Sequence, residues 1–363
     1  MAIIIFIIIL GILIFVHELG HFSVAKKSGI RVDEFAVGFP PKIFSFMKNG
    51  TKYALNLIPF GGYVRIFGEN PDEESLDPEA RDSFVNKPKI VQIAVLGAGV
   101  TFNIIFAWIL ISISLMSGFP SMVTDENRDR VESANVVVTG VEKDSPAEGA
   151  GIQPGDIISA ISSIENTTSE KITVDEVSSF IKDNGEEQIT MSVLRGEENL
   201  EIALQPTSGI LSDRKAIGIT MDLIGTMKLG FFESIIQGAI MSGQMIKDIA
   251  FGLVIFIGQA ITINADLSQV AGPVGIVGLV GDASNFGFVY LLGFTAFISL
   301  NLAVLNLLPF PALDGGRILF VIIEGIMGRR INPKVANTVN AAGFLILITL
   351  MIVITVSDIW KLF

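Results

Sequence analysis

The chain contains only two histidines, and they stand four residues apart in the run His17-Glu-Leu-Gly-His21. On a helix, residues four apart lie on the same face, so His17 and His21 can offer two imidazole nitrogens to one metal ion. Glu18 is a neighbour on that face and can take a proton from an attacking water. These residue types at this spacing predict a zinc hydrolase in which His17 and His21 bind the metal and Glu18 is the catalytic base.

The third metal ligand must be an oxygen of Asp or Glu, because the chain has no cysteine and both histidines are already used. Asp314 is the best candidate. It follows Pro309 and Pro311 and precedes two glycines, a combination that must interrupt a helix. Irregular backbone at membrane depth persists only where it is buried in protein or lines a wet cavity. The alternative role for Asp314, capping the next helix, is typical of an isolated Leu-Asp-Gly sequence.

The composition indicates a multi-pass membrane protein with a soluble part. Of the 363 residues, 50% are hydrophobic and only 17% are charged. The net charge of −12 is concentrated in one segment, since residues 119–225 contain 20 acidic and 8 basic side chains. This segment is therefore predicted to be an exported, solvated domain, and no part of the chain is basic enough to suggest nucleic-acid binding.

Four apolar segments predict transmembrane helices: residues 1–24, 89–118, 286–310 and 338–357. The first lacks the features of a cleaved signal peptide and is expected to be retained. Basic residues follow the first segment, precede the second, and lie between the third and fourth, which places both connections in the cytoplasm. Both termini are then outside, and His17 and His21 lie in the cytoplasmic half of the membrane.

The loop at residues 25–88 is predicted to form a small β-sheet. Alternating segments at 53–58 and 63–67 flank Pro59-Phe-Gly61-Gly62, a pattern that predicts a hairpin turn at these glycines. Residues 32–37 and 43–47 are candidates for two further strands. The edge of such a sheet could pair with an extended peptide, or the sheet could be purely structural.

The segment 127–207 has a pattern of short strands and one helix, at 174–182. Its run Ser145-Pro-Ala…Gly151-Ile-Gln-Pro-Gly-Asp-Ile-Ile158 resembles the bacterial PDZ domain, whose groove binds peptide ends by strand addition. Residues 226–263 predict an amphipathic helix region at the outer interface of the membrane. Its part 249–263 is apolar enough to resemble a span, but a span here would invert the topology downstream.

Taken together, H-E-L-G-H, the run Asn306-x-x-Pro-x-Pro-x-Leu-Asp-Gly315, a Gly-x-Gly…Asn103 element and the PDZ-like insertion resemble the site-2 protease family of intramembrane zinc metalloproteases, of the bacterial regulator-of-sigma-E protease type. The resemblance covers nearly the whole chain, although it includes one PDZ segment where the best-known members carry two. It implies one Zn²⁺ per chain, held by His17, His21 and Asp314, with Glu18 as the base. Further candidates for the substrate site, as oxyanion donors or positioning residues, are Asn103, Asn301, Asn306, Pro309, Pro311, Gly61 and Gly62.

The expected fold is an α-helical multi-pass membrane protein with four transmembrane helices, a small membrane-associated β-sheet and an inserted α+β PDZ domain. The expected location is the bacterial inner membrane, with the PDZ domain outside. The expected substrates are single-span membrane proteins already shortened by another protease, such as anti-sigma factors or signal-peptide remnants, and a peptide C-terminus is an expected PDZ ligand.

Three alternatives stay open at this point. Two are not enzymes: a membrane zinc transporter, and a PDZ scaffold with a structural metal. The third is a membrane zinc endopeptidase of another class, in which a downstream Glu such as Glu324 would replace Asp314. Asn103 has two readings of its own, as a packing residue in a membrane helix or as a donor to the reacting carbonyl.

Overall fold

The computed structural model describes residues 1–70, 73–77, 79–125, 127–163, 167, 172–196, 198–208, 215–262 and 271–360. The chain forms two compact units. The first comprises residues 1–112, 235–284 and 291–363, and the second comprises residues 113–234 and 285–290.

The elements up to the second apolar segment are α1 (Ala2–Lys27), β1 (Val32–Lys48), β2 (Thr51–Ile66), α2 (Glu73–Leu76), α3 (Lys89–Leu96) and α4 (Ala98–Ser117). The first helix, α1, continues three residues beyond the predicted span, to Lys27. Gly29 then adopts a left-handed conformation with a φ of 64°, which reverses the chain and lets the Ile30 N–H donate to the Ala25 carbonyl at 3.0 Å.

The β-sheet departs from the predicted hairpin, because in the described part of the chain the segments at 53–58 and 63–67 pair with β1 and not with each other. The tight hairpin turn lies at Asn49 and Gly50, between residues 44–48 and residues 51–55. Asn49 and Gly50 have φ values of 50° and 74°, and an Asn-Gly pair is the usual sequence of a two-residue hairpin turn. The chain nevertheless reverses direction between Leu55 and Gly62, where the sequence predicts a turn, because residues 52–55 run parallel to residues 34–37 and residues 62–65 run antiparallel to them. Residues 34–37 lie between these two parts of β2, with partners at 62–65 on one side and at 52–55 on the other. The strand segments at 62–66 and 43–48 thus lie at the two edges.

The second predicted span is two helices that meet at Gly97, which ends α3. A buried core joins this junction to the end of α1, the sheet and the helix that carries Asp314. Its fully buried members are Ala25, Ile30, Val32, Ile66, Phe84, Val95, Leu96 and Val321. This core fixes the parts of the chain that supply the candidate metal ligands.

The last five elements of the first unit are α7 (Phe231–Ile261), α8 (Pro273–Asn285), α9 (Phe288–Asn306), α10 (Asp314–Met327) and α11 (Pro333–Trp360). Among the described residues, five helices are long and apolar enough to cross a membrane: α1, α4, α7, α9 and α11. A membrane protein with several apolar helices is thereby confirmed. The helix in addition to the four predicted spans is α7, which lies in the region 226–263 that was predicted to be at the membrane interface. The last residue of that region, Ile263, lies outside the described residues.

The second unit contains a six-stranded antiparallel sheet in the order β3-β8-β4-β5-β6-β7. Its elements are β3 (Phe119–Met122), β4 (Val131–Val141), α5 (Pro146–Gly149), β5 (Ile157–Ser162), α6 (Val174–Asp183), β6 (Ile189–Arg195), β7 (Glu198–Leu204) and β8 (Ile219–Met227). The predicted domain at 127–207 is too short, because it leaves out β3 and β8, and β8 pairs with β4 inside the sheet. A short segment on its own gives no signal of pairing with a distant strand.

One amphipathic helix and one partly buried ion pair stabilise the second unit. The helix α6 begins with a capping box at Thr173 and Glu176, and it buries Val177, Phe180 and Ile181. Arg195 pairs with the buried Asp156 at 2.7 Å, and this hydrogen bond raises the pKa of Arg195 above its ordinary value.

Candidate metal centre

Three side chains from helices far apart in sequence converge at one point in the first unit. The Nε2 atoms of His17 and His21 lie 3.1 Å apart, and Asp314 Oδ2 lies 3.1 Å from the first and 3.4 Å from the second. His21 is buried, and the other two are half-buried. The structure therefore brings together the three residues that the sequence singles out as metal ligands.

The geometry of these atoms fits a bound zinc ion. A tetrahedral Zn²⁺ ion has bonds of about 2.0–2.2 Å to nitrogen and oxygen, so two of its ligands lie about 3.3 Å apart. The three observed separations are close to this value. Among the described residues, the buried Asp314 Oδ2 also has no hydrogen-bond partner of good geometry, although the histidines are near it. Lone pairs that converge without a donor between them are what a cation requires.

The tautomer of His21 is fixed by the backbone of α3. His21 Nδ1 lies 2.8 Å from the Val95 carbonyl oxygen, and a carbonyl can only accept a hydrogen bond. Nδ1 therefore carries the proton and donates it, which leaves the lone pair of Nε2 directed at the centre. Val95 is fully buried in the core between α3 and α1, so the orientation of the ring is set by packing.

Asn103 lies behind His17 on α4. Its amide nitrogen Nδ2 is 3.4 Å from His17 Nδ1. When His17 Nε2 is a ligand, Nδ1 carries the proton, and a flip of the amide, which exchanges its nitrogen and oxygen, presents the oxygen to accept it. That oxygen is otherwise a buried acceptor without a partner among the described residues. Ser299 of α9 donates to the Asn103 carbonyl at 2.9 Å and holds α4 in place. The sequence predicts two roles for Asn103, packing and donation to the reacting carbonyl. Its position favours a role that differs from both, which is to orient a metal ligand.

Two glycines allow α1 and α4 to come close enough for this arrangement. A methyl group on Gly20 would overlap the Ala98 carbonyl. One on Gly99 would overlap His21 Nε2 and lie 2.6 Å from His17 Cε1. The small residues of this segment predict a close helix contact, but the sequence does not identify the histidine rings as the groups in contact with Gly99.

Asp314 reaches the centre from a sharp reversal between α9 and α10. Ala312 adopts a left-handed φ of 76°, and Leu313 precedes the first residue of α10 as its N-cap without a side-chain capping bond. The Asp314 side chain is thus directed to the histidines and does not cap the helix. Methyl groups at Gly315 and Gly316 would overlap the Leu307 and Phe310 carbonyls, so only glycine fits where the turn folds back.

Pro309 and Pro311 lie in this turn, as the sequence predicts. Pro309 is exposed and Pro311 is half-buried. Pro311 packs against α11, where a methyl group on Gly343 would lie 2.6 Å from the Pro311 carbonyl oxygen. These prolines shape the turn, and the described contacts do not place either of them against the metal ligands.

Glu18 lies between α1 and the edge strand of the sheet. The Val64 backbone N–H donates to its carboxylate, and a methyl group on Gly62 would lie 3.8 Å from Glu18 Cγ. Gly61 has a φ of 100° and approaches Ile14 of α1. Gly62 therefore lies beside the candidate base and Gly61 packs against α1, and their place in a substrate site stays a prediction.

Three other candidates, Asn301, Asn306 and Glu324, have no described contact with the three ligands. Asn301 donates to the Phe297 carbonyl of its own helix at 2.9 Å. Asn306 is the last residue of α9 and is half-buried. Glu324, the alternative third ligand, pairs with Lys89 at 2.5 Å and accepts from the Ile331 N–H at 2.9 Å. The carboxylate that the structure places at the histidines is Asp314.

An ion pair that the sequence does not reveal links α10 to the end of β2. Arg317 pairs with Glu69, which follows the edge strand by three residues, and its guanidinium also lies 3.5 Å from Asn70 Oδ1. Arg317 follows Asp314 by three residues, about one helical turn. This basic residue was the sequence feature that could have indicated an ion pair beside the third ligand. The pair ties the helix of the third ligand to the strand beside Glu18.

Comparison with known proteins identifies similar chains along the full length. The sequence profile described as Peptidase family M50 matches residues 5–350. A putative zinc metalloprotease of Fusobacterium nucleatum is 34% identical, covering 100% of both chains. The regulator of sigma-W protease RasP of Bacillus subtilis is 31% identical, covering 100% of this chain and 99% of its own. A probable chloroplastic membrane metalloprotease of Arabidopsis thaliana is 30% identical over 96% of this chain and 78% of its own.

Proposed function

The chain belongs to peptidase family M50 and is a zinc metalloprotease, and from this premise we propose that it cleaves transmembrane segments of single-span membrane proteins. The substrates are shortened outside by another protease before they reach it. The observation that carries the proposal is the convergence of His17, His21 and Asp314 within a group of apolar helices. A hydrolytic centre in that position reaches peptide bonds that soluble proteases cannot.

The side chains divide the work of hydrolysis among them. His17, His21 and Asp314 would hold the zinc ion, which supplies Lewis acidity to the scissile carbonyl and to the attacking water. Glu18 takes the proton of that water and delivers it to the leaving amine. The Val64 N–H holds the Glu18 carboxylate, and Asn103 holds the ring of His17. Neither supporting group is a metal ligand, and both keep the reacting side chains in the required orientation.

The substrate must unwind before it is cleaved, because a transmembrane helix satisfies its own carbonyl and N–H groups. The edge strand at residues 62–66 lies beside Glu18, and one row of its backbone groups has no strand partner among the described residues. An unwound substrate segment pairs with that row and gains the backbone hydrogen bonds that it lost on unwinding. Asn301 and Asn306 stay predicted helpers in the substrate site.

The arrangement of the helices supports four spans with both termini on one side. The second half of α1 carries His17 and His21, and the turn after the end of α9 carries Asp314 to them. The first half of α1 shares a buried cluster with α8 and with Leu291 and Phe294 near the start of α9, so α1 and α9 run in the same direction. Gly99 at the start of α4 meets the end of α1, so α4 runs in the opposite direction. The chain between α4 and α9 therefore returns to the side that it left, which is compatible with α7 lying at the interface.

The proposed location is a bacterial cytoplasmic membrane. The basic residues that flank α1 and α4 place the sheet and the metal centre toward the cytoplasm. The six-stranded domain is then outside, and we assign it as the PDZ domain. It excludes long ectodomains or binds a newly exposed C-terminus. The Bacillus subtilis relative is named a regulator of sigma-W protease. Anti-sigma factors are therefore the first substrates to test.

The test is cleavage of a model single-span substrate in detergent or liposomes. The wild-type protein should cleave within the apolar segment. Glu18→Gln should reduce kcat by at least about 10³-fold at equal zinc content, because the base is lost while the ligand set is kept. Asp314→Ala should lose both zinc and activity, whereas Glu324→Ala should retain zinc. Cleavage by Glu18→Gln at the wild-type rate would overturn the proposal.

A further inference from the structure

Three cationic side chains surround one buried carboxylate on the sheet of the first unit. Glu34 is 6% exposed. Lys42 Nζ lies 2.7 Å from Glu34 Oε1, and Arg65 Nη2 lies 4.0 Å from Glu34 Oε2. Lys52 is directly opposite Glu34 on the neighbouring strand segment. We call Lys42, Lys52 and Arg65 the cationic cluster. Three positive charges against the one negative charge of Glu34 leave a net charge of +2.

The cationic cluster carries more positive charge than Glu34 neutralises. The neighbouring Lys42 ammonium lowers the pKa of Lys52 below its ordinary value, which shows that the two positive charges act on each other. Like charges side by side are unfavourable, and a further carboxylate near them removes that cost. The side chain of Arg65 is 65% exposed, so an incoming group can reach its guanidinium. These are the properties of a site that accepts one more carboxylate.

Arg65 lies next to the reacting groups. It follows Val64, whose backbone N–H donates to the Glu18 carboxylate, and consecutive Cα atoms are about 3.8 Å apart. Arg65 also belongs to the edge strand at residues 62–66, whose outer side has no strand partner among the described residues. An unwound substrate that pairs with this strand, as proposed above, therefore passes beside Arg65 when its scissile bond is at Glu18.

The cationic cluster lies on the face of the sheet that is turned away from α1. Phe35 and Tyr53 follow Glu34 and Lys52 in the sequence, and their rings lie 5.1 and 6.0 Å from the ring of Phe22 in α1. Successive side chains of a strand point to opposite faces. Glu34, Lys52 and the Arg65 that lies opposite Glu34 therefore point away from α1.

The face that suits contact with lipid is the other one. Phe46 stacks on Tyr53 with ring centroids 5.2 Å apart, and Phe44 contacts Phe46 at 5.9 Å. Both phenylalanines are exposed, and exposed apolar side chains beside a membrane helix are suited to lipid. Because the cationic cluster is on the opposite face, its position favours a substrate side chain over a lipid headgroup as the occupant.

We propose that the cationic cluster selects substrates with an acidic side chain, Asp or Glu, at the position opposite Arg65. The inference rests on the proposed function and adds a substrate class to it. In an extended strand added at residues 62–66, every second side chain points to the face of the cluster, and the Cβ atoms of directly opposite residues lie about 5 Å apart. A strand covers about 3.3 Å per residue, so the selected side chain lies within about two residues of the scissile bond.

Repulsion contributes to this selection as well as attraction. The cytoplasmic flanks of membrane spans are rich in Lys and Arg, and the proposed orientation places the sheet on that side. A basic side chain opposite Arg65 meets a cluster of like charge and is disfavoured. The cluster thus rejects most spans and admits those that carry an acidic side chain close to the cleaved bond.

The first test compares substrates that differ by one charge, in phosphatidylcholine liposomes. Sets of model substrates carry Glu, Gln or Lys, one position at a time, within four residues of the cleaved bond. At one position the wild type should show a kcat/KM about threefold higher for Glu than for Gln and about tenfold higher for Glu than for Lys. Arg65→Glu should reverse this order, because it places a carboxylate opposite the substrate side chain. Equal cleavage of all three at every position by the wild type overturns the inference, whereas cleavage of none overturns the proposed function.

The matched control is Lys48→Glu, which makes a similar charge reversal at an exposed residue of the same sheet, beside the hairpin turn. It should keep the wild-type order. If it changes the order as much as Arg65→Glu does, overall charge is responsible and the inference is overturned. Arg65→Gln, the milder change, should reduce the ratio of Glu to Lys at least about twofold, with zinc content equal to the wild type as evidence of an intact centre. An effect of Arg65→Glu that is the same for all three substrates and occurs only with phosphatidylglycerol would assign the cluster to lipid headgroups and overturn the inference.

The second test locates the substrate directly. The chain has no cysteine, so single cysteines can be introduced into Glu18→Gln, which binds substrate without cutting it. Arg65→Cys lies in the strand proposed to pair with substrate. Met47→Cys is the matched control, because Met47 lies opposite Lys52 in the other edge strand and is 66% exposed. A substrate cysteine at the selected position should form a disulfide with Arg65→Cys only. Equal cross-linking at both positions, or none at Arg65→Cys, overturns the inference.

Discussion

At the scale of single residues, the centre depends on groups that hold the ligands as much as on the ligands. His21 is oriented by a backbone carbonyl, that of Val95, and His17 by the side chain of Asn103. A carbonyl oxygen is available at every residue, so the sequence cannot indicate which one is used. Asn103 was identifiable as a polar side chain in an apolar helix, but its role depends on which ring atom it meets.

Removal of the Asn103 amide should weaken zinc binding. Asn103→Leu leaves His17 Nδ1 without an acceptor in a buried position, and loss of such a partner typically reduces metal affinity about 10–100-fold. The measurement is zinc content after dialysis against a graded series of chelator concentrations. Asn301→Leu is the matched control, because the Asn301 amide bonds only to its own helix among the described contacts. Equal zinc retention in both variants would refute the role assigned to Asn103.

At the scale of elements, the helices could be predicted from the sequence more reliably than the sheet. The spans α1, α9 and α11 follow from long apolar runs, because length and hydropathy are local properties. The four strand segments of the sheet were predicted, but the segments at 53–58 and 63–67 were wrongly expected to pair with each other. The Asn49-Gly50 pair was the local turn signal, whereas the crossing of β2 past residues 34–37 depends on pairing between distant residues.

The crossing of α1 and α4 should tolerate no side chain at Gly99. Gly99→Ala places a methyl group among the imidazole rings of His17 and His21. Because both ligands must move, we expect zinc content to fall below about a tenth of the wild-type value and cleavage to fall at least as far. Metal analysis of the purified protein, with circular dichroism to show that the helices persist, checks this expectation.

The control for Gly99→Ala is Gly243→Ala in α7, since no described atom lies within 4 Å of a methyl group at Gly243. It makes the same chemical change in a helix without the crowding. It should retain zinc and should be slightly more stable, because alanine favours a helix over glycine by about 1 kcal/mol. If both variants kept their zinc, the close approach at Gly99 would not be required for the centre.

At the scale of the whole molecule, most of the second unit is inserted in the sequence between two parts of the first. The excess of acidic residues at 119–225 predicts a separate domain in this segment. The limits of the domain, however, are set by the pairing of strands that are distant in sequence. Phe119 pairs with Met227, and these residues lie outside the limits that the local pattern suggested. The side of the membrane on which each segment lies is a further prediction, drawn from the distribution of basic residues and from helix directions.

Single cysteines can test the predicted orientation, because the native chain has none. Lys48→Cys precedes the turn of the sheet, and Asp125→Cys lies in the second unit. A membrane-impermeant maleimide applied to intact cells should label Asp125→Cys and not Lys48→Cys, and lysed cells should show both. Labelling of Lys48→Cys in intact cells would place the sheet outside and reverse the topology.

The role of the second unit as a size filter can be tested by removing it. The Leu229 N–H donates to the Leu115 carbonyl at 2.9 Å, so the chain enters and leaves the domain at adjacent points, and a short Gly-Ser linker can replace residues 119–227.

The first unit keeps its own buried clusters and the whole ligand set. The shortened protein should therefore retain zinc and should cleave a substrate with a short ectodomain at close to the wild-type rate. It should also cleave the intact substrate, which the wild type should process at least about tenfold more slowly, because exclusion depends on bulk that the deletion removes. Unchanged discrimination between the two substrates would show that selection takes place at the membrane helices or the sheet.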